Sequence, residues 1–251
     1  MLVSAARTPA DLAALVDRRA AGLPLEHVLG WAELCGLRIA VDPGVFRPRP
    51  RTELLVRQAA SLARQTVRAA DQSVAPRAVV VDLCCGSGAV GAALVAALDG
   101  MELHSVDIEP AAVRCARRNV AAAGGQVYEG DLYQPLPAAL RGRVDVLVAN
   151  APYVPSEAIG LLPPEARLHE PRVALDGGAD GLDVQRRIVA AAPLWLAPGG
   201  HLLIQTSVRQ APLTVETFAR SGLVPRVAGS DDLDATVVIG TRPARPGGPD
   251  P

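Results

Sequence analysis

Four apolar residues, Ala78-Val79-Val80-Val81, end on Asp82 and open into Leu83-Cys84-Cys85-Gly86-Ser87-Gly88, after which Ala89 onward has the composition of a helix. A short continuous apolar run bounded in this way predicts a strand buried on both faces, the kind found in parallel sheets. Small residues leading into a helix N-terminus let a ligand approach bare backbone N–H groups. Taken alone, the turn admits two ligand classes. Gly86-Ser87-Gly88-Ala89-Val90-Gly91 fits G-x-G-x-x-G, and Asp107 lies at about the distance expected of a ribose-binding acid, as in dinucleotide sites. Asp82 points elsewhere: a carboxylate gains little beside a pyrophosphate but suits a cationic nucleoside that carries no phosphate.

Strand and helix then alternate, the signature of a doubly wound α/β sheet. Strands are predicted over Glu102–Asp107, Gln126–Glu129, Val144–Ala149, Gly200–Ile204, a segment after a further helix, and Ala235–Gly240, which with the first makes seven. Helices are expected from Glu109-Pro110 to about Ala123 and from about Leu182 to Trp195. Upstream, Thr8 caps a short helix to about Ala21, Leu37–Val41 reads as one strand of a hairpin, and Thr52 caps a helix to about Arg68. Residues 69–77 read as a linker. Val154–Gly181, rich in Pro and Gly, is too long for an ordinary connector and is expected to be functional or mobile. Aromatic residues are only 3% of the chain, so Ala, Val and Leu must build the core and Tyr153 stands out. All 25 basic residues are Arg, and the net charge of −1 argues against a general nucleic-acid binder. Arg47, Arg49 and Arg51 form a proline-spaced basic loop that either meets a partner or is a solvated connector. Cys35, Cys84, Cys85 and Cys115 have no zinc-ligand spacing and read as reduced packing residues. His27, His104, His169 and His201 read as packing or surface residues. No leader or membrane-length apolar run is evident, so a soluble, cytoplasmic protein with no membrane partner is expected.

Asp82, Asp107 and Asp131 follow three successive strands, whose ends face one crevice in an open parallel sheet. A carboxylate after the second strand can accept from both ribose hydroxyls, and one after the third from an adenine amino group. Each alone could be an ordinary loop aspartate; in order, they outline an adenosine. S-adenosylmethionine combines that nucleoside with the cationic charge Asp82 favours. Asn150-Ala151-Pro152-Tyr153, after the fourth strand, lies across the crevice. The prolyl turn aims two acceptors, the Asn150 amide oxygen and the Ala151 carbonyl, at one NH2 group, with Tyr153 against a planar acceptor. The plain alternative is a structural turn.

These pieces resemble the protein N(5)-glutamine methyltransferases of the HemK/PrmC type over about Pro24 to Gly240. The match rests on Pro24-Leu25 with Val28-Leu29-Gly30, Arg47 to Glu53, Asp82 to Gly88, Asp107, Gly130-Asp131, Asn150 to Tyr153, and most specifically Glu170 to Leu182. The resemblance implies a class I S-adenosylmethionine-dependent methyltransferase, a Rossmann-like sheet of seven mostly parallel strands. It implies four regions: a helical segment over 1–30, a hairpin and linking helix over 31–77, a catalytic domain over 78–241 and a disordered tail over 242–251. It also implies a protein substrate, a class 1 peptide chain release factor, and no direct nucleic-acid partner. The donor would be held by Asp82, Cys84, Gly86, Gly88, Asp107, Ile108, Asp131, Leu132 and Asn150, and the acceptor amide by Asn150, Ala151, Pro152 and Tyr153. Ala151 departs from the family's first proline, Cys84 from its first glycine, Arg51 from an acid and Gln205 from a common acid. Only 23 residues precede Pro24, where the family carries a fuller helical segment. Two alternatives remain: methylation of an exocyclic amine on a base or small metabolite, and a non-catalytic adenosine-binding protein.

Overall fold

The apolar runs assemble into one sheet of seven strands in a computed structural model that describes residues 1–69, 77–98 and 100–244. Residues 70–76 of the expected linker and 245–251 of the expected tail lie outside them. In chain order the elements are α1 (Leu2–Ala5), α2 (Pro9–Ala20), α3 (Leu25–Leu29), β1 (Trp31–Leu34), β2 (Leu37–Ala40), α4 (Thr52–Ala69), β3 (Val79–Leu83) and α5 (Ala89–Ala97). They continue through β4 (Glu102–Asp107), α6 (Pro110–Val120), β5 (Gln126–Glu129), β6 (Val144–Ala149), α7 (Pro164–His169) and α8 (Asp183–Trp195). The chain closes with β7 (Leu196–Thr206), α9 (Ala211–Arg220), β8 (Val224–Ser230) and β9 (Ala235–Thr241).

The strand order is β5-β4-β3-β6-β7-β9-β8, parallel as far as β7, with β9 antiparallel to both neighbours. The chain leaves β3 toward β4 and β5, then crosses back to place β6 on the other side of β3. That reversal opens a crevice beyond the carboxyl ends of β3 and β6, where ligands of such sheets bind.

Every residue of β3 is buried, so it carries none of the alternation that marks a half-exposed strand. On one face, Val80, Val146, Val148 and Leu203 pack against Leu55 and Leu62 of α4 and Leu94 of α5. On the other, Val81, Leu147, Leu202 and Ile204 pack against Ile188 and Trp195 of α8 and Phe218 of α9. Side chains two apart share a face. Asp82, Asn150 and Gln205, each two beyond a residue packed under α4, therefore face α4 and α5 at the carboxyl edge.

The predicted hairpin exists as β1 and β2, and its turn residues Cys35 and Gly36 both have positive φ, 52° and 75°, matching the twist of a tight hairpin. It is tied to the rest by Asn119 of α6, whose amide bonds Ala40 N and O at 3.0 and 2.9 Å and donates to Ser87 O at 2.8 Å. The hairpin and the glycine loop are thus held by one side chain. Thr8 caps α2 as expected, accepting from Asp11 N at 3.1 Å. Two local expectations fail. Asp82 lies inside β3 rather than after it. Thr52 begins α4 but does not cap it, because the Oγ1 has no hydrogen-bond partner. Among the described residues no helix is long and apolar enough to cross a membrane.

Candidate active site

A cleft of about 1060 Å³, open to solvent, lies beyond the ends of β3, β4 and β6. It brings Asp82, Cys84, Gly86, Asp107, Ile108, Asp131, Leu132, Asn150 and Pro152 onto one wall system, as the sequence predicts. Gly88, Ala151 and Tyr153 are not on its surface. Gly88 serves the backbone: it starts α5 at φ +75°, and a Cβ there would stand 3.0 Å from Ala116 of α6. Ala151 is buried, and Tyr153 is half-buried with its carbonyl accepting from Gln210 Nε2 at 2.9 Å.

Asp107 ends β4 and fastens the glycine loop. Its Oδ2 accepts from Gly86 N at 2.8 Å and its Oδ1 from Glu109 N at 3.0 Å. Burial raises its pKa against those two hydrogen bonds. Each carboxylate oxygen keeps a second acceptor site. Cys84 has φ +55°, a left-handed conformation that glycine adopts without steric cost, which gives its departure from glycine a physical meaning. Asp82 is wholly buried, accepts from Gly91 N at 3.1 Å, and has its pKa pushed up to about 7 by burial, with Asp107 adding to the rise.

That shift makes a stability prediction. A carboxyl whose pKa is higher folded than unfolded stabilises the fold fully below about pH 4, and this contribution is lost as pH rises through about 7. Asp82→Asn has no proton to lose. Its free energy of unfolding should therefore gain on wild type between pH 5 and pH 8, by an amount on the order of a few kcal/mol at the upper end. Parallel unfolding curves for the two proteins across that range would show that Asp82 does not titrate there.

Asp131 meets Arg187 of α8 at 2.5 Å. Among the described residues lining the cleft, Arg187 is the sole basic side chain, and its charge is taken by Asp131. Among the described residues no hydrogen bond or ion pair joins Asp82 or Asp107 to a basic side chain. The cleft therefore presents uncompensated negative charge, which suits a cation and disfavours a pyrophosphate.

The remaining walls come from stretches that carry the family resemblance but were not assigned to the site, together with Phe46: Phe46, Pro48 and Thr52 on one side, and Pro171, Val173 and Ala174 on another. Both reach the cleft through Glu170. Its side chain, fully buried, accepts from Arg47 Nε at 2.9 Å and Arg49 Nη2 at 2.7 and 2.8 Å. Arg47 also meets Glu26 at 2.7 Å and Glu165 at 3.4 Å. The basic loop is thus neither a solvated connector nor a set of unpaired cations, and only Arg51, 3.5 Å from Asp234, pairs at the surface.

The segment after the Asn150 turn is ordered by main-chain bonds. Val154 N donates to Leu175 O at 3.0 Å and Gly177 N to Val154 O at 2.8 Å. Gly181, at φ +81°, lets the segment close on the turn, since a Cβ there would lie 2.3 Å from Tyr153 O. The run Glu170 to Leu182 therefore builds one wall and braces the Asn150 turn. Among the described residues neither the Asn150 side chain nor the Ala151 carbonyl makes a hydrogen bond within the protein.

The family described as the methyltransferase small domain matches residues 52–161. A release factor glutamine methyltransferase of Geobacter sulfurreducens is 39% identical over 239 residues, covering 93% of this chain and 79% of its own. A 4-amino-L-phenylalanine/4-methylamino-L-phenylalanine methyltransferase of Streptomyces pristinaespiralis is 36% identical over 209 residues, covering 82% of this chain and 69% of its own. The 16S rRNA N2 G1207 methyltransferase of T. thermophilus, solved with AdoMet and guanosine, shares the fold with a TM-score of 0.57 at 21% identity, over 84% of this chain and 49% of that one. Identity of this extent, on a sheet whose switch point carries an acid-lined cleft, makes the chain a member of the release factor glutamine methyltransferase family, whose methyl donor is S-adenosylmethionine.

Proposed function

We propose that the chain methylates the side-chain amide nitrogen of a glutamine in a class 1 peptide chain release factor. The observation that carries this reading is the pair of unengaged acceptors at the Asn150 turn, set beside a cleft with the charge and shape for the donor. A net charge of −1 favours a protein acceptor over a nucleic acid.

The cleft fits S-adenosylmethionine on its own residues. Asp107 keeps acceptor sites for two ribose hydroxyls, Ile108 and Leu132 offer apolar faces for a purine, and Asp82 answers an ammonium group. Asp131, with Oδ2 held by Arg187, has Oδ1 left for an adenine amino group. When bound, S-adenosylmethionine supplies an electrophilic methyl group on a sulfonium.

Asn150 Oδ1 and the Ala151 carbonyl accept the two N–H bonds of the acceptor amide. This holds its nitrogen in one orientation and stabilises positive charge that develops there. Pro152 stiffens the turn, and Tyr153 sits beside the planar amide. Pro171, Val173 and Ala174 give the cleft an apolar wall. The product can lose its proton to solvent, so no side chain need act as a base. Three of the four histidines are engaged elsewhere: His27 with Val45 O at 3.0 Å, His104 with Tyr128 and Glu102, and His201 with Thr241.

A second reading is favoured by the Streptomyces relative, whose name gives an aromatic amine as its substrate. A ring-bound amine presents the same pair of N–H bonds. The test incubates the protein with radiolabelled S-adenosylmethionine and either an unmodified class 1 release factor or 4-amino-L-phenylalanine. Label on the glutamine of the release factor's Gly-Gly-Gln peptide, located by mass spectrometry, is the expected result. Label on the amine alone would move the acceptor to a small molecule.

A further inference from the structure

Gln205 is the residue before last of β7 and only 1% exposed, yet its Oε1 has no hydrogen-bond partner among the described residues. A buried acceptor left unmet is costly and calls for an explanation. Gln205 is not on the surface of the cleft, so a molecule bound there does not reach it directly. Its partner has to come from the protein.

The two neighbouring strands narrow the choice. On one side β9 sets Val237 opposite Gln205, and valine has nothing to donate. On the other, the parallel register pairs Ile204 with Ala149, so one step further along both strands Gln205 comes beside Asn150. Both side chains lie on the face toward α4, each two beyond a residue packed there, Leu203 and Val148. Adjacent strands are about 4.8 Å apart, a gap that two amide side chains can span. Asn150 has the complementary need. Its amide carries an acceptor end and a donor end, and only the acceptor end suits an incoming N–H. With the side chain unbonded within the protein among the described residues, a partner for Nδ2 is what would decide which end faces the cleft.

We propose that, once the acceptor amide is bound, Asn150 Nδ2 donates to Gln205 Oε1, which fixes Asn150 with Oδ1 toward the acceptor nitrogen. Gln205 is then a positioning residue that acts through Asn150 and does not touch the substrate. This rests on Asn150 holding the acceptor. The test measures single-turnover methyl transfer from S-adenosylmethionine to the acceptor that wild type methylates, release factor or 4-amino-L-phenylalanine. Gln205→Met, which keeps the side chain's length without its amide, should transfer the methyl group about tenfold more slowly. Its affinity for S-adenosylhomocysteine should match that of wild type, and it should melt no lower, since it removes an unmet acceptor. Gln205→Glu offers an acceptor oxygen in either protonation state and should stay within about threefold of the wild-type rate. In the Asn150→Ala background Gln205→Met should cost nothing further, because the group it orients is gone. A wild-type rate for Gln205→Met, an equal loss in both backgrounds, or a Gln205→Glu rate as low as that of Gln205→Met would overturn the role of Gln205. Asn150→Ala at the wild-type rate, or wild type methylating neither acceptor, would instead overturn the reading of Asn150 on which it rests.

Discussion

Glu170→Leu should lower the free energy of unfolding by about 3–5 kcal/mol, the loss typical when one member of a buried ion pair is removed. The Glu170 side chain has no exposed surface, and the Arg47 side chain is 7% exposed. Without the carboxylate, Arg47 keeps Glu26 and Glu165, but Arg49 loses the one acid it meets among the described residues. The damage should reach the cleft, because Glu170 joins the loop bearing Phe46 and Pro48 to the turn bearing Pro171 and Val173. Donor binding should weaken in the same variant at temperatures where it is folded. Glu170→Gln keeps the shape and removes the charge, so it isolates the electrostatic share. Urea unfolding of both variants, with Arg49→Met alone and combined with Glu170→Leu, measures the coupling as a double-mutant cycle. A loss below 1 kcal/mol for Glu170→Leu would mean that the network is solvated in solution. Because the pair is buried, added salt should change the result little.

This network also marks the boundary of what the sequence could reveal. Arg47 and Glu170 lie 123 residues apart, and no local rule joins a basic, proline-spaced loop to one glutamate so distant. Arg47, Arg49 and Arg51 therefore read as a surface feature, although two of the three are structural. By contrast β3, the glycine turn and α5 were legible because hydrophobic runs, small residues and helix formers are local signals. The acids at the strand ends were legible for the same reason. The order of the strands was not: alternation predicts parallel strands but not the side of β3 on which β6 is laid. Asp82 was placed at the end of its strand because a fully buried strand gives no alternation by which to find its end. Thr52 has the chemistry of a cap, but three N–H groups bonded to Arg49, Pro50 and Arg51 had removed the need for one. Val154–Gly181 read as functional or mobile from its Pro and Gly content. Its glycines permit close backbone contacts, Gly177 against Gly181 and Gly181 against Tyr153, and the second closes the segment on the Asn150 turn.

Asn150→Ala should lower turnover by about 10²–10³-fold, as when one preorganised group is removed from a reacting centre. Donor affinity should stay within a few-fold of wild type. The side chain makes no hydrogen bond within the protein among the described residues, so its removal leaves no buried partner unmet and should cost under about 1 kcal/mol of stability. The backbone of the turn has other supports: β6 runs into it, Gln210 holds the Tyr153 carbonyl, and Val154 is bonded on both sides to Leu175 and Gly177. Loss of turnover in Asn150→Ala would therefore report the missing acceptor and not a displaced loop. Single-turnover rates and calorimetry on the same preparation separate the two quantities, and a rate within tenfold of wild type would remove Asn150 from the proposed mechanism. Asn150→Asp keeps an acceptor oxygen but adds a negative charge near Asp82, so it should recover part of the rate and favour lower pH, where one of the two carboxyls is protonated. The Ala151 carbonyl remains in every one of these variants, and the activity left in Asn150→Ala measures what that single acceptor, with the bound donor, can do alone.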